Sequence, residues 1–210
     1  MNKVYKNFMK QFKKPEGKMG KLIIKGMNIS HFELTSWGLE NIKFKEESDI
    51  LDIGCGGGRT VNRLAHAAKN SKVFGMDYSL NCVNEAKSYN KKLIEEGKVN
   101  ILHASVEKIP FDDNKFDIIT AVETIYFWPD ILSNFMEVKR VLKPSGKFVV
   151  INEVVENENF KKRNERYSNA CEMKIYAPEQ MEELFIKAGF LNIKVDVLKD
   201  KNWLRVVGEK

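Results

Sequence analysis

A chain of 210 residues is long enough for one hydrophobic core with an appendage and short for two full-sized domains. Its 43% hydrophobic and 30% charged residues exclude disordered and collagen-like compositions, and no run free of Asp, Glu, Lys and Arg exceeds the eight residues Val99–Val106, against the roughly 20 a membrane-spanning helix needs. Of the net charge of +6, residues 1–25 carry +7, eight lysines against Glu16, so the rest of the chain sums to −1 and lacks the basic surface of a dedicated nucleic-acid binder.

Residues 1–47 stand apart from the pattern that follows and read as an N-terminal helical extension or flap. Val4, Phe8 and Phe12 recur at helical spacing beneath Lys3, Lys6, Lys10, Lys13 and Lys14, the pattern of a solvated amphipathic helix; phosphate contacts to RNA are the alternative. The start is charged without an apolar block, unlike a secretory signal. Cys55, Cys82 and Cys171 are too few and too scattered for a disulfide framework or a CxxC metal site. A cytoplasmic setting and no metal are the expectations.

From residue 48 to 210 short apolar runs alternate with amphipathic ones, which predicts a mostly parallel sheet wrapped by helices. Strands are expected at Asp49–Ile53, Lys72–Asp77, Val99–His103, Phe116–Val122 and Lys147–Asn152, with helices at Thr60–Lys69, Leu80–Glu96 and Ile131–Leu142. Pro178 opens a further helix to Ala188, stopped by Gly189; Leu191–Leu198 and Trp203–Val207 then read as an antiparallel edge hairpin, giving seven strands. The polar segment Val154–Ala177 lies where α/β enzymes often place a lid.

The chemistry is concentrated in Ile50-Leu51-Asp52-Ile53-Gly54-Cys55-Gly56-Gly57-Gly58-Arg59-Thr60, an apolar strand entering four glycines and then a helix. Such a bend lets backbone approach a ligand closely and aims free helix N–H groups at it. Arg59 occupies the position where a dinucleotide GxGxxG/A fingerprint needs Gly or Ala, and the Gly-Lys-Ser/Thr of a Walker loop is missing. What remains is DxGxGxG: Asp52, Gly54, Gly56 and Gly58. Asp77 ends the second strand 23 positions after Gly54, near the offset at which an acid meets a ribose. Further on stand His103-Ala104-Ser105-Val106-Glu107-Lys108-Ile109-Pro110-Phe111 and Val141-Leu142-Lys143-Pro144-Ser145-Gly146.

These ordered segments resemble the class I S-adenosylmethionine-dependent methyltransferases over about residues 48–153, with looser agreement at 177–190. The resemblance implies a Rossmann-like α/β fold and S-adenosyl-L-methionine as cofactor. It implies that Asp52, Gly54, Cys55 and Gly56 hold the cofactor's amino-acid end, that Asp77 and Tyr78 meet the ribose, and that Ser105, Val106 and Glu107 meet the adenine. Ser105 replaces the family's usual Asp, which shifts adenine recognition toward the Val106 backbone and packing.

At the carboxyl end of the fourth strand, Glu123 is expected to touch cofactor or substrate, and Tyr126 and Trp128 to wall the substrate pocket while Phe127 packs in the core. Glu153, ending the fifth strand, and Trp37, in the N-terminal stretch, complete the expected pocket. The candidate catalytic residues are Glu123, His31 and Tyr126, whereas His66 and His103 read as structural. The tetrapeptide of amino-methylating DNA enzymes and the radical CxxxCxxC cluster are absent. A small-molecule acceptor follows, with RNA methylation or non-catalytic cofactor binding as alternatives.

Overall fold

A computed structural model describes Gln11, Lys13, Pro15 and residues 17–210; the expected stripe Val4, Phe8 and Phe12 lies outside the described residues. The helices are α1 (Gly17–Ser30), α2 (Phe32–Leu39), α3 (Arg59–Ala67), α4 (Leu80–Tyr89), α5 (Lys91–Glu95), α6 (Ile131–Val141), α7 (Lys161–Cys171) and α8 (Pro178–Lys187). The strands are β1 (Asp49–Ile53), β2 (Lys72–Asp77), β3 (Val99–His103), β4 (Phe116–Val122), β5 (Leu142–Asn152), β6 (Leu191–Leu198) and β7 (Trp203–Glu209). They form one seven-stranded sheet in the order β3-β2-β1-β4-β5-β7-β6. The first five are parallel neighbours, and β7 enters antiparallel between β5 and β6. This is the expected mostly parallel sheet with an antiparallel edge pair.

Burial on both faces accounts for the mostly apolar sequences of β1 and β4, whose buried interiors admit only Asp52 and Thr120, bonded to each other. On one face Phe116, Phe135, Phe148, Phe185 and Phe190 pack with α6 and α8. On the other, Leu34 of α2, Val61 and Leu64 of α3 and Val83 and Ala86 of α4 close over Ile50, Val149 and Ile151. The chain order reverses between β1 and β4, and at such a switch point the carboxyl ends of an open sheet leave a crevice.

Three elements depart from the sequence reading. The helix expected over Leu80–Glu96 breaks at Asn90, because that buried side chain donates to Gly58 O at 2.9 Å and Ala86 O at 3.0 Å while accepting from Asn62. β5 begins at Leu142 rather than Lys147: Leu142 pairs with Phe116, the chain bulges through Ser145 at φ +62°, and Lys147 rejoins opposite Ile118. The segment expected as a lid is pinned instead. Val154 and Val155 are buried, and the Val155 carbonyl accepts from both Asn164 and Asn202.

Candidate active site

At the switch point lies a cavity of about 420 Å³, within the range of small-molecule sites. Its floor is the bend after β1. Gly54 sits at φ +70°, and a Cβ added there would stand 2.2 Å from Thr124 Oγ1, so only glycine fits. Gly56, at φ +51°, has open space where its Cβ would be, which lets a ligand approach the backbone. Gly58 at φ +78° packs under Ala86 and Asn90, locking the loop to α4.

Two carboxylates flank the bend. Asp52 is 2% exposed and accepts from Thr120 Oγ1 at 2.6 Å; burial, only partly offset by that bond, pushes its pKa up to about 7. Asp77 accepts from Gly56 N–H at 2.9 Å and Ser79 N–H at 2.8 Å, and burial still holds it above the usual carboxylate range. Each of its oxygens is engaged by one backbone donor, and a carboxylate has about four lone-pair sites, so both keep capacity for a hydroxyl. Tyr78 lines the cavity beside it and donates its hydroxyl proton to the Lys13 carbonyl. Ser105, Val106 and Glu107 also line it, but the Ser105 hydroxyl turns toward Glu107, donating to its Oε2 at 3.0 Å. Glu107, rather than Ser105, therefore presents the carboxylate there. Cys55 is buried, its thiol pushed well up by burial and placed near Gly75 of β2.

The other end of the cavity meets α1 and α2 through Ile24, His31, Phe32 and Thr35. Glu123 lies there at φ +58°, an uncommon conformation for a non-glycine residue. Its Oε1 accepts the Tyr126 O–H at 2.8 Å and the Glu153 N–H, leaving Oε2 3.9 Å from His31 Nε2. Burial pushes the Glu123 carboxyl to about 7, lowers His31, and raises Glu153, which the Glu123 charge raises further.

The expected pocket residues separate. Trp37 does not line the cavity; its ring packs 5.8 Å from that of Trp203 and under Arg205, because the close contact of Gly38 with Ile151 fixes α2 on the sheet. Tyr126 is 2% exposed and also lies outside the lining, its hydroxyl oxygen accepting from Val154 N–H at 2.9 Å, so it positions Glu123 rather than meeting a ligand. Phe127, expected in the core, lines the cavity instead, next to Trp128. Glu153 stands behind Glu123, outside the lining. Sequence reasoning missed Thr120, Thr124, Phe32, Arg59 and Arg63; the last two stand 5.1 and 4.3 Å from the Phe32 ring centre. Their i, i+4 spacing on α3, with Arg59 directly after the glycines and Arg63 one turn on, was the available signal. No residue of the expected lid lines the cavity, which is covered by Lys13, Pro15 and α1–α2.

A glycine bend at a switch point, with acids ending β1 and β2, defines an α/β domain that binds a nucleoside-type cofactor. Residues 51–150 match the family described as "Methyltransferase domain". The chain is 32% identical over 131 residues to the sterol 4-C-methyltransferase strm-1 of Caenorhabditis elegans, covering 61% of this chain and 38% of that protein. It is 32% identical over 117 residues to a demethylmenaquinone methyltransferase of Bacillus velezensis, covering 54% and 48%. It thus spans less than half the length of these two relatives. Its fold matches a solved S-adenosylmethionine-dependent methyltransferase of Aquifex aeolicus with a TM-score of 0.74 at 24% identity, over 89% of this chain and 96% of that one. Over residues 51–150 the chain thus matches a methyltransferase domain, and its fold is that of solved S-adenosylmethionine-dependent methyltransferases, enzymes whose cofactor is S-adenosyl-L-methionine. Among the described residues no helix is long and apolar enough to cross a membrane.

Proposed function

We propose that this protein transfers a methyl group from S-adenosyl-L-methionine to a small-molecule acceptor. The observation that carries the reading is the arrangement of one continuous cavity: two acids and a glycine cradle at one end, and an aromatic wall with an imidazole and a carboxyl at the other. Asp52 would hold the cofactor's ammonium, Asp77 its ribose hydroxyls, and Glu107 with the Val106 backbone its adenine. The open space above Gly56 and the spare lone pairs of Asp77 fit such a group.

The cofactor supplies an electrophilic sulfonium methyl; the chain's own residues supply position and dryness. Phe32, Phe127 and Trp128 exclude water from the acceptor side, and Glu123 Oε2 with His31 Nε2 orients the acceptor's nucleophilic atom. Tyr126 fixes Glu123 so that one oxygen alone faces that atom. Sterol and demethylmenaquinone, in the relatives' names, are largely apolar molecules, and the wall of Ile24, Phe32, Phe127 and Trp128 supports an acceptor of that kind.

Isothermal titration with S-adenosylmethionine and S-adenosylhomocysteine tests the first half, and release of S-adenosylhomocysteine across a panel of sterols, quinols and amines tests the second. Binding absent at high micromolar concentration would remove the proposal; binding without turnover of any acceptor would reduce the protein to a cofactor binder.

A further inference from the structure

His31, Glu123 and Glu153 come from the α1–α2 junction, the end of β4 and the end of β5, and meet behind the acceptor end of the cavity. We propose that they form a binding site for one divalent cation of the Mn²⁺ or Zn²⁺ class. One ligand atom from each residue lies within 4.8 Å of the others, with His31 Nε2 and Glu123 Oε2 at 3.9 Å. Atoms bound about 2.0–2.2 Å from one ion stand roughly 3.0–3.5 Å apart, so side-chain rotation by less than about 2 Å closes the set. Among the described residues this is the one group of three His, Cys, Asp or Glu side chains with such spacing.

The donor set is mixed, one imidazole nitrogen and two carboxylate oxygens, which suits borderline transition ions rather than Ca²⁺ or Mg²⁺. The Arg163 guanidinium stands 3.8 Å from Glu153 Oε1, leaving the second Glu153 oxygen for the ion. The three side chains are 25%, 13% and 36% exposed, and two of them line the cavity, so a three-ligand ion would keep its remaining positions open toward the acceptor, and Glu123 Oε2 and His31 Nε2 would then orient the acceptor through the ion and not by direct contact. An acceptor bearing an oxygen donor is the class such a site would take, an extension that rests on the methyl-transfer reading above.

The experiment is titration of the chelator-treated full chain with Mn²⁺, followed by electron paramagnetic resonance, and with Zn²⁺ by calorimetry, both with S-adenosylhomocysteine present. One ion per chain is expected, with Glu153→Gln and His31→Ala each weakening it at least about tenfold. S-adenosylhomocysteine affinity is measured separately and should stay within about twofold in Glu153→Gln, which also shows that this variant is folded. No binding of either ion up to about 1 mM, or unchanged affinity in both variants, overturns the cation site. If S-adenosylhomocysteine binds and the ions do not, the cation site alone falls; if S-adenosylhomocysteine does not bind, the methyl-transfer reading falls by itself.

Discussion

Cofactor affinity should depend on pH through Asp52. The folded carboxyl titrates at about 7 because burial outweighs its 2.6 Å bond from Thr120. Since the folded-state value is raised above that of the unfolded chain, the free protein loses stability as pH rises from about 4 to 7, and binding an ammonium reverses that cost. Only ionised Asp52 pairs with the ammonium. With a midpoint near 7, about one molecule in eleven is ionised at pH 6 and about ten in eleven at pH 8, so S-adenosylhomocysteine should bind about tenfold more tightly at pH 8, a difference of about 1.4 kcal/mol. Thr120→Val removes a hydrogen bond to the charged form, worth about 1.5–3 kcal/mol, and should move the midpoint up by about one unit or more. Calorimetric titrations at half-unit steps from pH 5.5 to 8.5 provide the measurement, and Asp52→Asn provides the slope owed to the ligand's own amine. An affinity that is flat across this range, or a slope that Asp52→Asn retains, would refute the assignment of Asp52 to the ammonium.

Asp77→Ala removes the acceptor of two backbone N–H groups and of the proposed ribose hydroxyls, and S-adenosylhomocysteine affinity should fall by about 100-fold, corresponding to roughly 3 kcal/mol; a change under threefold would place the ribose elsewhere. Gly54→Ala drives a methyl group to 2.2 Å from Thr124 Oγ1 and should lower stability by about 1–3 kcal/mol in urea unfolding, with partial recovery when Thr124→Gly is added. Trp37→Ala should cost about 2–4 kcal/mol of stability through its lost packing on Trp203, while S-adenosylhomocysteine affinity stays within about twofold. Tyr126→Phe should lower turnover more than cofactor affinity, because Glu123 loses the donor that orients it; unchanged turnover on a competent acceptor would count against that role.

Four strands, β1 to β4, lie where the sequence places them, and so does β6, because short runs rich in Val, Ile, Leu and Phe bounded by Gly, Pro, Asn or Asp mark strands whether both faces are covered, as in β1 and β4, or the strand lies half-exposed at the edge, as β6 does. The glycine bend and Asp77 were legible for a related reason: both are backbone requirements, written locally. What could not be read locally was decided by packing. Asn90 breaks a helix whose periodicity runs through it, since its amide is drawn to Gly58, 32 residues away. Among three consecutive aromatics, the turn at Ile125–Phe127 and the left-handed Glu123 determine that Tyr126 is buried and Phe127 faces the cavity. His31, Glu123 and Glu153 carry no shared motif, yet β4 and β5 pair in parallel so that Val122 lies opposite Ile151, which brings the two acids to one edge and α2 lays the imidazole over them. Sequence specifies conformations a few residues long through periodicity and sterics; distances between remote side chains are set by sheet register and helix docking, which exist only once the chain has closed on itself.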